Sequence, residues 1–511
     1  MRPAPELPTD PRALREMVLE LLSALQEKDL RIGQLSSQLE ALKRRLFGRK
    51  SEKMNREQLL LNLGEWLAAH SQASEAAASS AGPRADDEEQ AETSRKGHGR
   101  RKLPQDLPRQ RTEYHPAKEL MTCRECSVPL GKIGEEVSEQ IEYVPASLFV
   151  QEHARIKYAC PECRGNVVIG SLPIKPIEKG VPGPGLLAHV VTSKYVDHLP
   201  LHRLEAIFPR QGVELSRSTL CGWVAASAAR VEPVVEAMKS QILASRKIHT
   251  DDTTVPVLDK GQAKTKTGRL WVYVGGENHE HIVFDYTPDR TRGGPARWLN
   301  GFKGYLQADA YTGYDAIFAG DEVIEVACWA HARRKFFDAK PNDDARARFA
   351  LAHIRVLYDV EKRARALTPE ERRVLRDQEA RPILDTIKAW LEVEQPKVLL
   401  KNPIHEAMGY ALAQWTALTR YLDDGILEID NNRSERALRR VAIGRKNWMF
   451  AGSDEGGRRA AILYSLIASC AALKINPYAY LKDVLERIAA DRPTDFSKLT
   501  PQAWKAEKLA A

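Results

Sequence analysis

The chain has 511 residues, 43% hydrophobic and 29% charged, a globular balance rather than that of a disordered or collagen-like polymer; at roughly 150 residues per domain it accommodates about three or four domains. The longest apolar run, Ala460 to Leu473, is broken by Ser465 and Ser469 and falls short of the ~20 residues of a membrane span. The start, Met-Arg-Pro-Ala-Pro-Glu, has no apolar h-region, so neither a transmembrane helix nor a signal peptide is expected, and a net charge of +8 permits a polyanionic partner without requiring one.

Residues 1–70 are expected to form an N-terminal coiled coil with a basic end. Leu14, Val18, Leu21, Leu25, Lys28, Ile32, Leu35, Leu39, Leu42 and Leu46 alternate spacings of four and three. A seam this narrow needs a partner helix, which points to a homo-oligomer, with Lys28 setting register; folding back onto the chain's own body is the alternative. Lys43, Arg44, Arg45, Arg49, Lys50 and Lys53 follow, as a solvated face or a phosphate contact. Residues 71–111 lose their large apolar side chains and read as a disordered basic linker ending in Arg95, Lys96, Arg100, Arg101 and Lys102.

Residues 112–172 hold two Cys-x-x-Cys pairs, Cys123 with Cys126 and Cys160 with Cys163. In a reducing cytoplasm four thiolates so paired match a closed, structural Zn2+ site, with Gly131 and Gly165 permitting the turns. The interval between the pairs contains strand-like runs, Gln140 to Val144 and Phe149 to Tyr158.

Residues 180–230 read as three short helices: Leu201 to Phe208, a turn through Gln211-Gly212, then a helix capped by Ser216 or Ser218 with Leu220 and Trp223 facing inward. This suits a helix-turn-helix with Arg217, Ser218 and Thr219 at the start of the DNA-reading helix, although other three-helix cores share the pattern. Cys221 and Cys470 read as buried small residues.

From residue 246 the signals turn to strands: Lys247 to Asp252, Arg269 to Gly275 and His281 to Asp285, a helix over Pro295 to Phe302, a strand into Asp309, a helix, and Val323 to Cys328. That order is expected of a ribonuclease H-like α/β domain, with Asp251 and Asp309 side by side at the ends of adjacent strands. The domain would comprise 240–340 and 426–470, interrupted by an α-helical insertion over 341–425 and followed by a helical tail over 471–511. Glu435, in a helix capped by Asp430 or Asn431, is the best third acid. Neighbours on a strand face opposite ways, so the residues alone leave Asp251 and Asp252 as alternatives.

The ordered motifs His249-Thr-Asp251-Asp252-Thr253, Leu306-Gln-Ala-Asp309-Ala-Tyr311-Thr-Gly-Tyr314, Cys328-Trp-Ala-His331-Ala-Arg333-Arg334, Asp430-Asn-Asn432-Arg-Ser-Glu435-Arg436 and Gly444-Arg-Lys-Asn447-Trp-Met-Phe-Ala-Gly452 resemble those of the IS-sixty-six family of insertion-sequence transposases. The likeness extends to Leu46-Phe-Gly-Arg-Lys-Ser51-Glu52-Lys53, to the zinc knuckles and to Asp197-His-Leu-Pro-Leu201, covering nearly the whole chain except the linker. Asp252 departs from the family pattern, which usually has Glu there. The resemblance selects Asp251 and implies a DDE-type DNA transposase in which Asp251, Asp309 and Glu435 hold two Mg2+ (or Mn2+) ions. It also implies element ends and target DNA as substrates, small accessory proteins of the element as partners, and a cytoplasmic, nucleoid-associated setting. Independently, hard Mg2+ suits carboxylates, and two ions about 4 Å apart suit an in-line phosphodiester displacement.

His331, Arg333 and Arg334 would contact the scissile phosphate or flanking DNA. The run Arg433, Arg436, Arg439, Arg440, Arg445 and Lys446 would follow a phosphate backbone at helical spacing. Cys328 and His331 lack two further ligands in the sequence nearby, so zinc is disfavoured there and a helix-cap or site-shaping role preferred; Trp448 reads as core. A zinc-dependent DNA-binding regulator with a decayed catalytic domain, and a non-transposing nuclease of the same fold, are the competing functions.

Overall fold

The computed structural model describes residues 180–510 apart from 260–263, 277–278, 321 and 492, together with residues 17, 28, 148–153, 157–158, 168–169 and 175–178. The heptad seam (apart from Lys28, which is helical), the linker and the four paired cysteines lie outside the described residues. Of the strand expected over Phe149 to Tyr158, the described residues show Lys157–Tyr158 as a strand paired antiparallel with Val168–Ile169, while residues 148–153 have no regular structure and Phe149 and Val150 are exposed.

Helix α1 (Pro184–Tyr195) opens on a proline, where the missing N–H costs no helical bond. Helix α2 (Leu201–Ile207) passes through a turn of 3-10 helix to Gly212, whose φ of 81° is the left-handed conformation glycine adopts without penalty. Helix α3 (Arg217–Leu243) starts at the expected cap, Ser216, whose hydroxyl accepts the Thr219 N–H at 3.2 Å. Far from being short, α3 runs for 27 residues, past Pro233. Leu220, Val224, Ala228, Val231, Val235, Met238 and Ile242 keep one apolar seam buried throughout. Cys221 lies off that seam and is exposed, contrary to the sequence expectation, whereas Cys470 is buried.

The element order three strands, helix, strand, helical turn, strand is the one expected. Strands β1 (Lys247–Val257), β2 (Lys266–Gly275), β3 (Ile282–Thr287), β4 (Gly304–Gln307) and β5 (Val323–Val326) form one sheet in the order β3-β2-β1-β4-β5. β1, β2 and β3 are antiparallel neighbours, while β4 and β5 join β1 in parallel. Helix α4 (Gly293–Trp298) lies between β3 and β4, its Trp298 stacked on Tyr273 with ring centroids 3.6 Å apart.

The insertion is helical throughout: after α5 (Trp329–Ala339) come α6 (Asp344–Ala364), α7 (Pro369–Leu375), α8 (Arg381–Glu394) and α9 (Pro403–Ala413). Its apolar side chains merge with Val326 on β5 and Trp329 and Phe336 on α5 into one core, so it is built onto the end of the sheet rather than tethered to it. Buried Arg376 makes a bidentate pair with Glu361 (both contacts 2.8 Å) and donates to the carbonyls of Tyr421 (2.6 Å) and Leu427 (2.9 Å). The guanidinium thereby binds the insertion to the segment that leaves it.

Helices α10 (Asn432–Trp448), α11 (Asp454–Ala472), α12 (Pro477–Asp491) and α13 (Pro501–Ala510) complete the fold. The two serines that interrupt the long apolar run lie on α11 and serve the edge strand: Ser469 Oγ accepts the Ile282 N–H at 2.9 Å and Ser465 Oγ that of Phe284 at 2.8 Å. Unpaired donors on β3 are thus satisfied by a helix. Among the described residues no helix is long and apolar enough to cross a membrane.

Arg376→Ala strands a buried carboxylate and three or so carbonyl acceptors, and we expect it to cost about 3–5 kcal/mol. Thermal unfolding should show the loss, and the paired replacement Arg376→Met with Glu361→Leu should recover much of it.

Candidate active site

The parallel register of β1 and β4 runs Lys247 against Tyr305, Ile248 against Leu306 and His249 against Gln307. Continued two residues along both chains, it sets Asp251 and Asp309 abreast. Glu435 arrives from far along the sequence, in the first turn of α10. Burial pushes Asp251 up to about 7, partly offset by the Asp252 N–H that its Oδ1 accepts at 2.7 Å, and the charges of Asp309, Asp252 and Glu435 add to the rise. Burial also raises Asp309, against the opposing influence of His331 and Arg290. His331 stands beside the third acid, Nε2 4.0 Å from Glu435 Oε1.

The two neighbouring acids on β1 have different fates. Asp252 points to the face held by Arg269 (Nη1 to Oδ2, 2.8 Å) and Arg290 (Nη2 to Oδ1, 2.8 Å), and its side chain is 3% exposed. Asp251, one residue earlier, feels the charges of Asp309, Asp252 and Glu435, and the charge of Asp252 acts on Asp309 as well. Arg290 also comes within 3.9 Å of Asp309 and lies over the Tyr311 ring, 4.1 Å from its centroid. Neither Arg269 nor Arg290 was legible as a site residue, because each stands in a strand or turn with no motif around it. The tyrosines following Asp309 pack beneath the site: Tyr314 OH is 3.3 Å from Thr250 Oγ1. Gly313 allows Tyr311 to fold back, since a Cβ there would sit 2.0 Å from that ring.

A strap over residues 424–431 ties Glu435 to the strands. Buried Lys247 donates to the Ile426 carbonyl, Gln307 Nε2 to the Glu428 carbonyl at 2.7 Å, and the Trp329 N–H to the Ile429 carbonyl at 3.1 Å. Asn431 closes the strap: its Nδ2 donates to the Thr250 carbonyl at 2.8 Å, and its backbone N–H to Cys328 Sγ at 3.2 Å. With that amide nitrogen committed, Oδ1 accepts from His249 Nδ1 at 3.2 Å. Burial holds His249 down at about 3, so the ring is neutral. Asn431 is the N-cap residue of α10 but its side chain makes no capping bond; the Asp430 carboxylate instead accepts the Asn432 N–H at 3.1 Å.

Cys328 is the N-cap residue of α5, and burial pushes its thiol up to about 12 against the hydrogen bond from Asn431. Arg333 and Arg334 line a cavity of about 240 Å3 with His331, Tyr358, Asn432 and Glu435. On α10, Arg436 and Arg439 are exposed and Arg440 half-buried. Two others in that basic run are turned inward: Arg433 pairs with Glu428 at 3.4 Å, and Arg445 donates to Thr254 Oγ1 at 3.0 Å and to the Thr254 carbonyl. Arg433 is thus held by the strap and Arg445 by strand β1. Arg217, Ser218 and Thr219 are exposed at the start of α3, about 40 Å by helical rise from its end beside β1. Trp448 is half-buried, packed near Gly444, where a Cβ would meet its Nε1 at 2.7 Å.

Four family models match the chain. "Transposase IS66 family" covers residues 179–459, "zinc-finger binding domain of transposase IS66" 121–164, "Transposase C of IS166 homeodomain" 34–112, and "IS66 C-terminal element" 465–502. The zinc-finger match spans Cys123, Cys126, Cys160 and Cys163 and supports structural zinc. Among curated proteins, the uncharacterized protein y4hP of Sinorhizobium fredii is 34% identical over 502 residues, covering 93% of this chain and 89% of its own length. Uncharacterized protein y4jD of the same organism is 34% identical, over 80% of this chain and 82% of its own.

Because the folded chain keeps a proton on Asp251 that the unfolded chain has released between about pH 4 and pH 7, this group's contribution to stability falls as pH rises through that window. Without divalent metal, Asp251→Asn should raise the melting temperature at pH 8 by about 2 °C and leave it unchanged below pH 4. Added Mg2+ should stabilise the parent more at pH 8 than at pH 5.5, and the variant at neither.

Proposed function

This chain belongs to the IS66 transposase family, and from that premise we propose that it is a DDE-type DNA transposase whose ribonuclease H-like domain uses Asp251, Asp309 and Glu435. The observation that carries the reading is the convergence of these acids on Asp251: the parallel register, continued, aligns Asp309 with it, and the strap brings Glu435 near enough for its charge to raise Asp251 as well. The strand order β3-β2-β1-β4-β5, antiparallel then parallel, supports the ribonuclease H-like assignment.

The donor set fits a hard divalent cation. All three side chains offer carboxylate oxygen, and burial, with the charges of the neighbouring acids added, keeps Asp251 partly protonated at neutral pH unless positive charge is supplied. When bound, a pair of Mg2+ ions would activate the attacking oxygen and stabilise the leaving one. The chain's own residues do the positioning. Asp252 is paired with Arg269 and Arg290 and holds Arg290 beside Asp309. Arg290 reaches toward Asp309, where it can steady a phosphate oxygen beside the acids. His331, Arg333 and Arg334 face the same end of the sheet, and exposed Arg436 and Arg439 extend the basic surface along α10. Arg217, Ser218 and Thr219 offer a separate DNA contact at the start of α3. Water attacks the element-end phosphodiester, releasing a 3′-hydroxyl, and that hydroxyl attacks target DNA; each step exchanges one P–O bond for another. The N-terminal heptads would join copies of the chain.

Incubating the full chain with DNA carrying the inverted repeats that flank its gene tests this. Mg2+-dependent nicking and joined donor–target product are expected, and Asp309→Asn should lower both by about a thousandfold or more while DNA binding persists. DNA binding by the parent with no cleavage would favour a regulator, and nicking without joined product a nuclease.

A further inference from the structure

One set of metal-capable side chains among the described residues closes more tightly than the three acids. Cys328, His331 and Glu435 bring a thiol sulfur, a ring nitrogen and a carboxylate oxygen all within 4.8 Å of one another. In sequence the first two lacked further ligands; folding supplies one across more than a hundred positions. We propose that Cys328, His331 and Glu435 form a second metal site, selective for a soft or borderline divalent ion such as Zn2+, whose occupation withdraws Glu435 from Asp251 and Asp309.

The local structure favours such a site. Cys328 and His331 lie one helical turn apart at the N-terminus of α5, so their side chains share a face. Cys328 Sγ is held by the Asn431 N–H at 3.2 Å, a donor placed to stabilise a thiolate. His331 Nδ1 is buried and makes no hydrogen bond, while Nε2 lies 4.0 Å from Glu435 Oε1. Zn–S near 2.3 Å and Zn–N and Zn–O near 2.1 Å require ligand atoms about 3.2–3.8 Å apart, so the set must contract by roughly 1 Å. Glu435, half-exposed and on a long side chain, can supply that movement. The adjoining cavity, lined by His331, Tyr358, Asn432 and Glu435, leaves room for water as a fourth ligand.

Sulfur, nitrogen and oxygen in one set select Zn2+ or Co2+ over Mg2+, which does not take thiolate. On binding, the S–H bond breaks, an S–metal bond forms, and the thiol proton passes to solvent. Because Glu435 is common to both sets, Zn2+ held by Cys328 and His331 pulls the carboxylate away from the strand acids. This inhibitory consequence, though not the site itself, rests on the proposed transposase chemistry.

The test uses the full chain titrated with Co2+, whose bond to thiolate gives a charge-transfer absorption. Cys328→Ser keeps an acceptor for the Asn431 N–H and should bind one Co2+ fewer than the parent, with Zn2+ inhibition read in each form as a fraction of its own Mg2+-dependent cleavage. Glu435→Gln should weaken the same Co2+ ion at least tenfold, read by binding alone. Micromolar Zn2+ should inhibit parent cleavage at least tenfold, reversibly by chelator and re-added Mg2+, and Cys328→Ser much less. Equal Co2+ binding and spectra in parent and Cys328→Ser would overturn the site. Equal Zn2+ inhibition of the two would overturn the inhibitory role. Loss of the Co2+ ion in Cys328→Ser with no Mg2+-dependent cleavage by any form would uphold the site and overturn the transposase chemistry instead.

Discussion

The buried amide of Asn431 is the junction on which the candidate site depends. It bonds the backbone of β1 at Thr250, the His249 ring and, through its own N–H, the sulfur that begins α5. The next residue starts the helix that carries Glu435. Leaving the Asn431 amide unpaired at this depth would cost more than most single hydrogen bonds contribute, so the arrangement that satisfies it is strongly preferred over a shifted one. A strap fastened at Lys247, Gln307, Trp329 and Asn431 therefore has one position, and the glutamate inherits it.

Around that junction the charges are arranged asymmetrically. Of the adjacent aspartates on β1, Asp252 is held by two guanidinium groups, one of which also reaches toward Asp309, while Asp251 is left without a cationic partner in a half-buried, electronegative recess. The recess is unfavourable for the chain alone and favourable for a bound cation, the balance expected where binding rather than stability sets the residues. Buried Arg376 plays the opposite part. It satisfies its charge wholly within the protein and fixes the returning end of the insertion, so the long helical excursion does not loosen the site it interrupts.

Glu435 occupies the boundary between two donor sets of different softness. Toward the strands it meets carboxylates only; toward α5 it meets sulfur and imidazole. A carboxylate accepts either partner, and under the proposal made above the identity of the metal, rather than any rearrangement of the fold, would decide which way it turns.

Much was fixed by local pattern. Apolar alternation marked the strands and the serine before Arg217 marked a helix start, because strand period and capping are properties of neighbouring residues; the set Asp251, Asp309 and Glu435 came instead from the resemblance of the ordered motifs to a family, the residues alone leaving Asp251 and Asp252 open. Other features had no local signature. That Asp252 faces arginines, that Arg433 and Arg445 turn inward, that Ser465 and Ser469 satisfy an edge strand, and that Cys328 and His331 meet Glu435 all depend on which segments pack together. These pairings join residues separated by anything from five to nearly two hundred positions, and a side chain's partner across such a distance is set by tertiary burial and polar satisfaction, which no window of sequence contains.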